Sequence, residues 1–341
     1  MTRRSRRPHW AALSSAICFL GLVSSCSSPG GGGFAPREAG AVLPAGSSSY
    51  LLFDATGISQ RRGGETLWAK NYATGSPSAA GFDLEGGWAC VGYSNQLAML
   101  QLGDQEPRWV PSPEPGLYRS IGVRDDLAAI TIGGNVHTVE IPSGEVVSKL
   151  AAGQWVAARG QETVDYALPL SRDEVVLLSS EEEGGFKEGT VMAFRMDRSQ
   201  GTWRQTQDAR FPAMHWVERA VSAGNDLYVA GLWEEMIPQA GGGMGRFEQT
   251  LIVVRLGLDS FLNEVLVQER VDTGTKVLDV SVGTDALALL FASGEVRVFD
   301  LRSRARLRRE FFPGAESIAW AAEGDLVVLA EGVPKIVSYG G

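Results

Sequence analysis

Histidine and cysteine are scarce, with three of each in a chain of 341 residues. That leaves little material for a metal cage or a disulfide framework. Beyond the N-terminal segment only His137 and His215 remain, 78 positions apart, and neither has a His or Cys neighbour at metal-ligand spacing. No G-x-S-x-G elbow, phosphate loop or H-E-x-x-H run occurs. The nearest approach to an elbow, Gly92-Tyr93-Ser94-Asn95, has Gln96 where a closing glycine should stand. No catalytic residue, metal or cofactor is therefore assigned. Basic residues are outnumbered as well, Lys+Arg totalling 31 against 40 Asp+Glu. Arg3, Arg4, Arg6 and Arg7 fall within the first 25 residues, which hold no acid, so the remainder counts 27 against 40, or -13. A body that acidic is poorly suited to neutralising phosphates, which argues against nucleic acid as a partner. Long apolar runs are missing too. The longest, Trp10 to Val23, is broken by Ser14 and Ser15 and falls short of the roughly 20 residues of a spanning helix.

What is present begins with an address. A basic start, a short apolar run and small residues before a cleavage point make an export signal, and the chain opens Arg3-Arg4-Ser5-Arg6-Arg7, then the apolar run, then Ser24-Ser25-Cys26-Ser27. Val23-Ser24-Ser25-Cys26 resembles the lipobox of bacterial lipoproteins. That resemblance implies cleavage after Ser25 and lipidation of Cys26, and Ser27 in place of an Asp implies outer-membrane sorting. The other reading is an ordinary signal peptide with a chance cysteine. Ser27-Ser28-Pro29 and Gly30 to Gly33 read as a flexible spacer. The expected division is 1–25 signal peptide, 26–47 lipid attachment and tether, and 48–341 folded body. Cys90 would be the one remaining thiol, within Trp88-Ala89-Cys90-Val91, an apolar strand that favours a packed side chain over a reactive one.

Forty-two Gly against 15 Pro indicate many tight turns. Short apolar runs recur between Gly, Asp, Asn and Ser, which reads as strands and turns. Asp126-Leu127-Ala128-Ala129-Ile130, Glu174-Val175-Val176-Leu177-Leu178 and Asp226-Leu227-Tyr228-Val229-Ala230 share one grammar, an acidic turn followed by a strand. Asp285-Ala286-Leu287-Ala288-Leu289, Asp325-Leu326-Val327-Val328-Leu329 and a weaker Gly87-Trp88-Ala89-Cys90-Val91 extend it. Anchors at 88, 127, 175, 227, 286 and 326 are spaced by 39, 48, 52, 59 and 40. Periods near 40–50 with four strands apiece predict an all-β single β-propeller. Six anchors suggest six four-stranded blades, and an inner pair from residues 36–55 would make seven. The last repeat lacks a fourth strand, so pairing of N- and C-terminal strands is expected to close the ring. A β-sandwich is the alternative. Gly294-Glu295-Val296-Arg297-Val298-Phe299-Asp300-Leu301 resembles the third strand of a WD40 blade, with Phe299-Asp300 for Trp-Asp. Tyr50-Leu51-Leu52-Phe53-Asp54-Ala55-Thr56-Gly57 is similar to a quinoprotein-type repeat.

Function on such a scaffold is expected on its loops. Most connections between second and third strands are brief, as at Gly133-Gly134. Two consecutive repeats depart from this, one over Ser180 to Glu188 and the next over Trp233 to Arg246. Loops of neighbouring blades emerge on one face, so Glu181, Glu182, Glu183, Trp233, Glu234, Glu235, Met236 and Arg246 are expected to mark a partner-binding rim. Arg302, Arg304, Arg306, Arg308 and Arg309 form a basic tract. Strand alternation places Arg304, Arg306 and Arg308 on one side, as edge protection or as a contact for anionic head groups. The expected role is a lipid-anchored, exported module that binds or scaffolds an envelope protein. It resembles in overall plan the propeller lipoproteins that assist outer-membrane protein assembly. The alternatives are a quinoprotein-like or hydrolytic enzyme with a central-channel site, and a polysaccharide binder using Trp203, Trp216 or Trp233.

Overall fold

The computed structural model describes residues 41–339 apart from 46–48, 55–56, 63, 72–76, 103–105, 156–161, 182–189, 212–213, 239–245 and 322–323. All of these lie in the unit Gly32–Gly341. Among the described residues 27 strands form seven antiparallel sheets, with sequential strand order in each, and one short helix, Ala152–Trp155. The sheets span residues 41–71, 77–111, 118–150, 162–211, 216–271, 277–311 and 315–338, and are numbered here as blades 1 to 7. Six have four strands and blade 7 has three.

The six anchors read from the sequence are the second strands of blades 2 to 7. The seventh second strand, Ser49–Phe53, is preceded by Ala41–Pro44, which resolves six against seven. The fold therefore takes in residues that the sequence assigned to the tether. A second strand has neighbours on both faces, and its alternate residues go to different interfaces. Leu51 and Phe53 pack toward blade 2, while Tyr50 and Leu52 pack toward blade 7. Seven apolar clusters arise this way, one at each boundary between consecutive blades around the ring. Cys90 is fully buried in the cluster between blades 2 and 3, and burial pushes its thiol up to about 12.

Among the described residues Ala41–Pro44 pairs with Ser49–Phe53 inside blade 1. Val42, Tyr50 and Leu52 pack face to face on Ala319, Val327 and Leu329. A polar seam runs from blade 6 through blade 7 to blade 1. Asp279 Oδ2 of blade 6 accepts from Ser317 Oγ at 2.6 Å and from Ile318 N at 3.0 Å. Ser317 Oγ in turn accepts from Val42 N at 3.1 Å. The inner position leaves Val42 at 1% and Leu43 at 4% exposure, a burial of about 1.5–3 kcal/mol for each such side chain.

Candidate functional site

The inner strands carry a repeated irregularity. In blades 2 to 7 the pairing of the first strand with the second skips one residue near the start of the strand. The skipped residues are Ser78, Arg119, Asp165, Glu218, Leu278 and Glu316. A β-bulge re-aims the side chain it inserts, and the series rings one end of the central channel. There Arg119 Nη2 donates to Asp165 Oδ1 at 2.6 Å, and Asp165 Oδ2 accepts from Ser180 N at 2.8 Å and Ser180 Oγ at 2.5 Å. Burial drives Asp165 up to about 6, although Arg119 and Ser180 pull the other way. Arg219 is held by main-chain oxygens, donating from Nε to Leu278 O at 2.5 Å and from Nη1 to Glu218 O at 2.6 Å. The cavity between these strands measures about 60 Å³, with Arg119, Arg219, Asp279, Tyr166 and Ser222 in its wall. Among the described residues no group of three or more His, Cys, Asp or Glu side chains converges as metal ligands.

The two enlarged connections lie in consecutive blades, 4 and 5, between second and third strands. Glu182 and Glu183 lie outside the described residues, and Glu181 ends the second strand of blade 4, Glu174–Glu181. Ser180 is not on a loop but is buried against Asp165. In blade 5 the structure corrects the expected insertion. Trp233, Glu234, Glu235 and Met236 belong to a strand, Asp226–Ile237, and Arg246 begins the next, Arg246–Gly257. The two pair without a break from Asp226↔Gly257 to Ile237↔Arg246. Alternation of Leu232, Glu234 and Met236 against Trp233, Glu235 and Ile237 sustains the ladder. The neighbouring hairpin of blade 6 turns at residues 292–294, its strands ending at Phe291 and starting again at Glu295. The blade 5 hairpin outgrows it by about six residue pairs, roughly 20 Å at the usual rise per strand residue.

Near its base sits an aromatic group that sequence reading missed as a unit. His215 lies 4.1 Å from Trp233 and 5.7 Å from Trp216 between ring centroids. Its main-chain N donates to Leu232 O at 2.9 Å, and its Nδ1 accepts from Glu234 N at 3.1 Å, so the imidazole caps a strand edge just before the first strand begins at Trp216. Burial pushes His215 below the usual imidazole range, which suits an acceptor. Trp216 Nε1 donates to Glu218 Oε1 at 2.6 Å. Burial raises Glu218 despite that bond and the pull of Arg219 and Lys276. Burial alone raises Glu234. Higher up, Met236 (50% exposed) stands directly opposite Phe247 (38% exposed). On the other face of the ribbon Arg246 and Arg270 both pair with Glu248. Phe247 was legible only as the residue after Arg246; its pairing with Met236 required the register.

The basic tract is the outer strand of blade 6, Arg306–Phe311, with the preceding turn. A second bulge corrects the expected alternation, because pairing steps from Val298↔Arg308 to Phe299↔Arg306 and skips Leu307. The extra residue inverts parity. Arg304 and Arg306 turn toward blade 5, pairing with Glu264 and Glu269, whereas Arg308 turns the other way, to Glu310 at 3.7 Å and the face of Tyr339 at 5.2 Å. Trp203, another aromatic candidate, donates from Nε1 to Lys149 O at 2.8 Å. His137 is buried in a strand, 3.1 Å from Glu114 Oε2.

No family model matches the chain, and no curated protein matches its sequence. Solved structures do resemble it. The Kuenenia stuttgartiensis hydrazine synthase is 10% identical with a TM-score of 0.60, the match covering 92% of this chain and 98% of that one. The Myceliophteria thermophila Cps50 (Swd1) β-propeller domain is 9% identical with a TM-score of 0.63, covering 88% and 97%. The WD40 repeats of RRP9 are 13% identical with a TM-score of 0.58, covering 87% of each chain. At such identities the likeness is one of fold alone, a β-propeller.

Proposed function

We propose that this chain is a protein-binding or scaffolding module of the bacterial cell envelope, anchored through lipid on Cys26 and docking its partner on the blade 5 hairpin. One observation carries the docking surface: a ribbon that outgrows its neighbour and sets Met236 and Phe247 opposite each other in solvent. Exposed apolar side chains concentrated on a rigid projection mark interaction sites more often than scattered ones do. The propeller supports this by holding the ribbon's base between two packed boundaries, with Trp233 against the cluster toward blade 4 and Trp216 against that toward blade 6. Anchoring rests on the sequence, on Val23-Ser24-Ser25-Cys26 and the spacer behind it. Among the described residues no helix is long and apolar enough to cross a membrane.

The test is capture from detergent-solubilised envelopes with the full chain and with a Met236→Asp, Phe247→Asp double variant. The double variant is expected to fold normally and lose the principal co-purifying protein. Undiminished capture would remove the hairpin from the account. The anchor is tested separately: Cys26→Ser is expected to move the chain from the membrane fraction to the soluble one.

A further inference from the structure

The two faces of the blade 5 ribbon differ in how their charges are used. Toward blade 4, Glu248 is neutralised by Arg246 and by Arg270, the latter at 3.0 Å. Toward blade 6 the register places Glu234, Met236, Phe247 and Gln249 on one face, continuous with Leu232, Leu251 and, on the first strand, Trp216. The base of that face is covered by Val277, Leu289 and Phe291 of blade 6. Above the turn of blade 6 that cover ends. Glu234 accepts one hydrogen bond there, from Gln249 Nε2 at 3.2 Å, and Glu218 accepts from the Trp216 indole. Glu218 also lies in the field of Arg219 and Lys276, whereas among the described residues Glu234 forms no ion pair with Lys or Arg. A half-buried carboxylate lacking a cation is costly, and this one lies below an exposed Met–Phe pair.

We infer that the docking element received on this face is a basic, extended segment of a partner protein, its arginine or lysine seated against Glu234 and its apolar neighbours on Met236 and Phe247. The inference rests on the docking reading above and deepens it. Charge complementarity selects this occupant. A cation gains from Glu234 and from the adjacent Phe247 face, whereas an acidic segment would meet like charge on a chain whose body already carries -13 by sequence. An extended segment with alternating side chains matches the two-residue repeat along the strand that spaces Glu234 from Met236.

The probe is a capped, fluorescein-labelled hexapeptide of alternating leucine and arginine, compared with one carrying glutamate for arginine and one carrying serine for leucine. Binding to the full chain is read by anisotropy. The Leu–Arg peptide is expected to bind about tenfold more tightly than either control, and to weaken as salt rises. Glu234→Gln, which keeps the shape, and Phe247→Ser, at an exposed position, are each expected to weaken it severalfold. Glu145→Gln on the outer strand of blade 3 should leave it unchanged. Equal binding of the arginine and glutamate peptides, or equal losses in Glu145→Gln and Glu234→Gln, would overturn the inference, as would displacement by an uncharged polysaccharide alone. If the peptides show no charge preference while the Met236→Asp, Phe247→Asp variant still loses its envelope partner, the docking surface stands and the basic segment falls.

Discussion

Gly122 shows how little room the inner strands leave. A Cβ built there would lie 2.1 Å from the carbonyl oxygen of Ala167 in the next blade, and main chain on both sides cannot yield cheaply. Gly122→Ala is expected to lower stability by about 1–3 kcal/mol, measured by urea unfolding. Asp165 carries a pH signature. Its carboxyl titrates near 3.8 when free and about 6 in the fold, so the folded chain holds that proton more tightly. Its contribution is therefore full below pH ~4 and is lost as pH rises through ~6, with a ceiling of about 3 kcal/mol. The difference in unfolding free energy between the native chain and Asp165→Asn should change across this window and be flat above it. A difference constant with pH would show that Arg119 and Ser180 keep the carboxylate ionised throughout. Neither residue announced itself in the sequence. Gly122 is one of 42 glycines, and Asp165 acquires its neighbours only when blades 3 and 4 are set side by side.

Strands were more legible than what happens at their ends. The acidic-turn grammar located the second strand of six blades because that strand is buried on both faces and reads as a continuous apolar run, as Val175 to Leu178 does. Ala41–Pro44 was legible only within the alternative inner pair from residues 36–55, because four residues after a glycine-rich stretch carry little pattern. Bulges escaped because they alter parity without altering composition. That is why Arg304, Arg306 and Arg308, read as one basic side, divide between blades 5 and 7. The tract acts as a strap from blade 6 to its neighbours. Being exposed, each pair contributes little on its own, and Arg306→Gln is expected to cost less than about 1 kcal/mol. Asp279→Ala should cost more, about 2–4 kcal/mol, because it strips Ser317 Oγ and Ile318 N of a buried acceptor. Comparing the two unfolding midpoints ranks strap against seam. A larger loss from Arg306→Gln would place the closure of the ring on its outside.

At the scale of the whole molecule, seven sheets share one plan, and the candidate site is where one sheet departs from it. The chain could be read as a propeller from spacing alone, since repeats impose their period on the sequence. The docking face could not, because it depends on a difference in height between consecutive hairpins. The sequence showed an insertion from Trp233 to Arg246 but not that Trp233 to Ile237 would continue a strand and bring Met236 across from Phe247. A rigid ring with one raised, apolar and acidic ribbon is suited to holding a partner in a fixed orientation, and a lipid at Cys26 would hold both at the membrane.

Site-specific photo-crosslinking in intact cells tests that idea most directly, with a benzophenone amino acid in place of Phe247 and, as a control, in place of Leu262, which is exposed on a turn between the third and fourth strands of the same blade. The expected result is one discrete protein adduct from position 247 and none from position 262. Adducts of equal yield from both positions, or from position 262 alone, would contradict the assignment of the blade 5 hairpin as the docking surface.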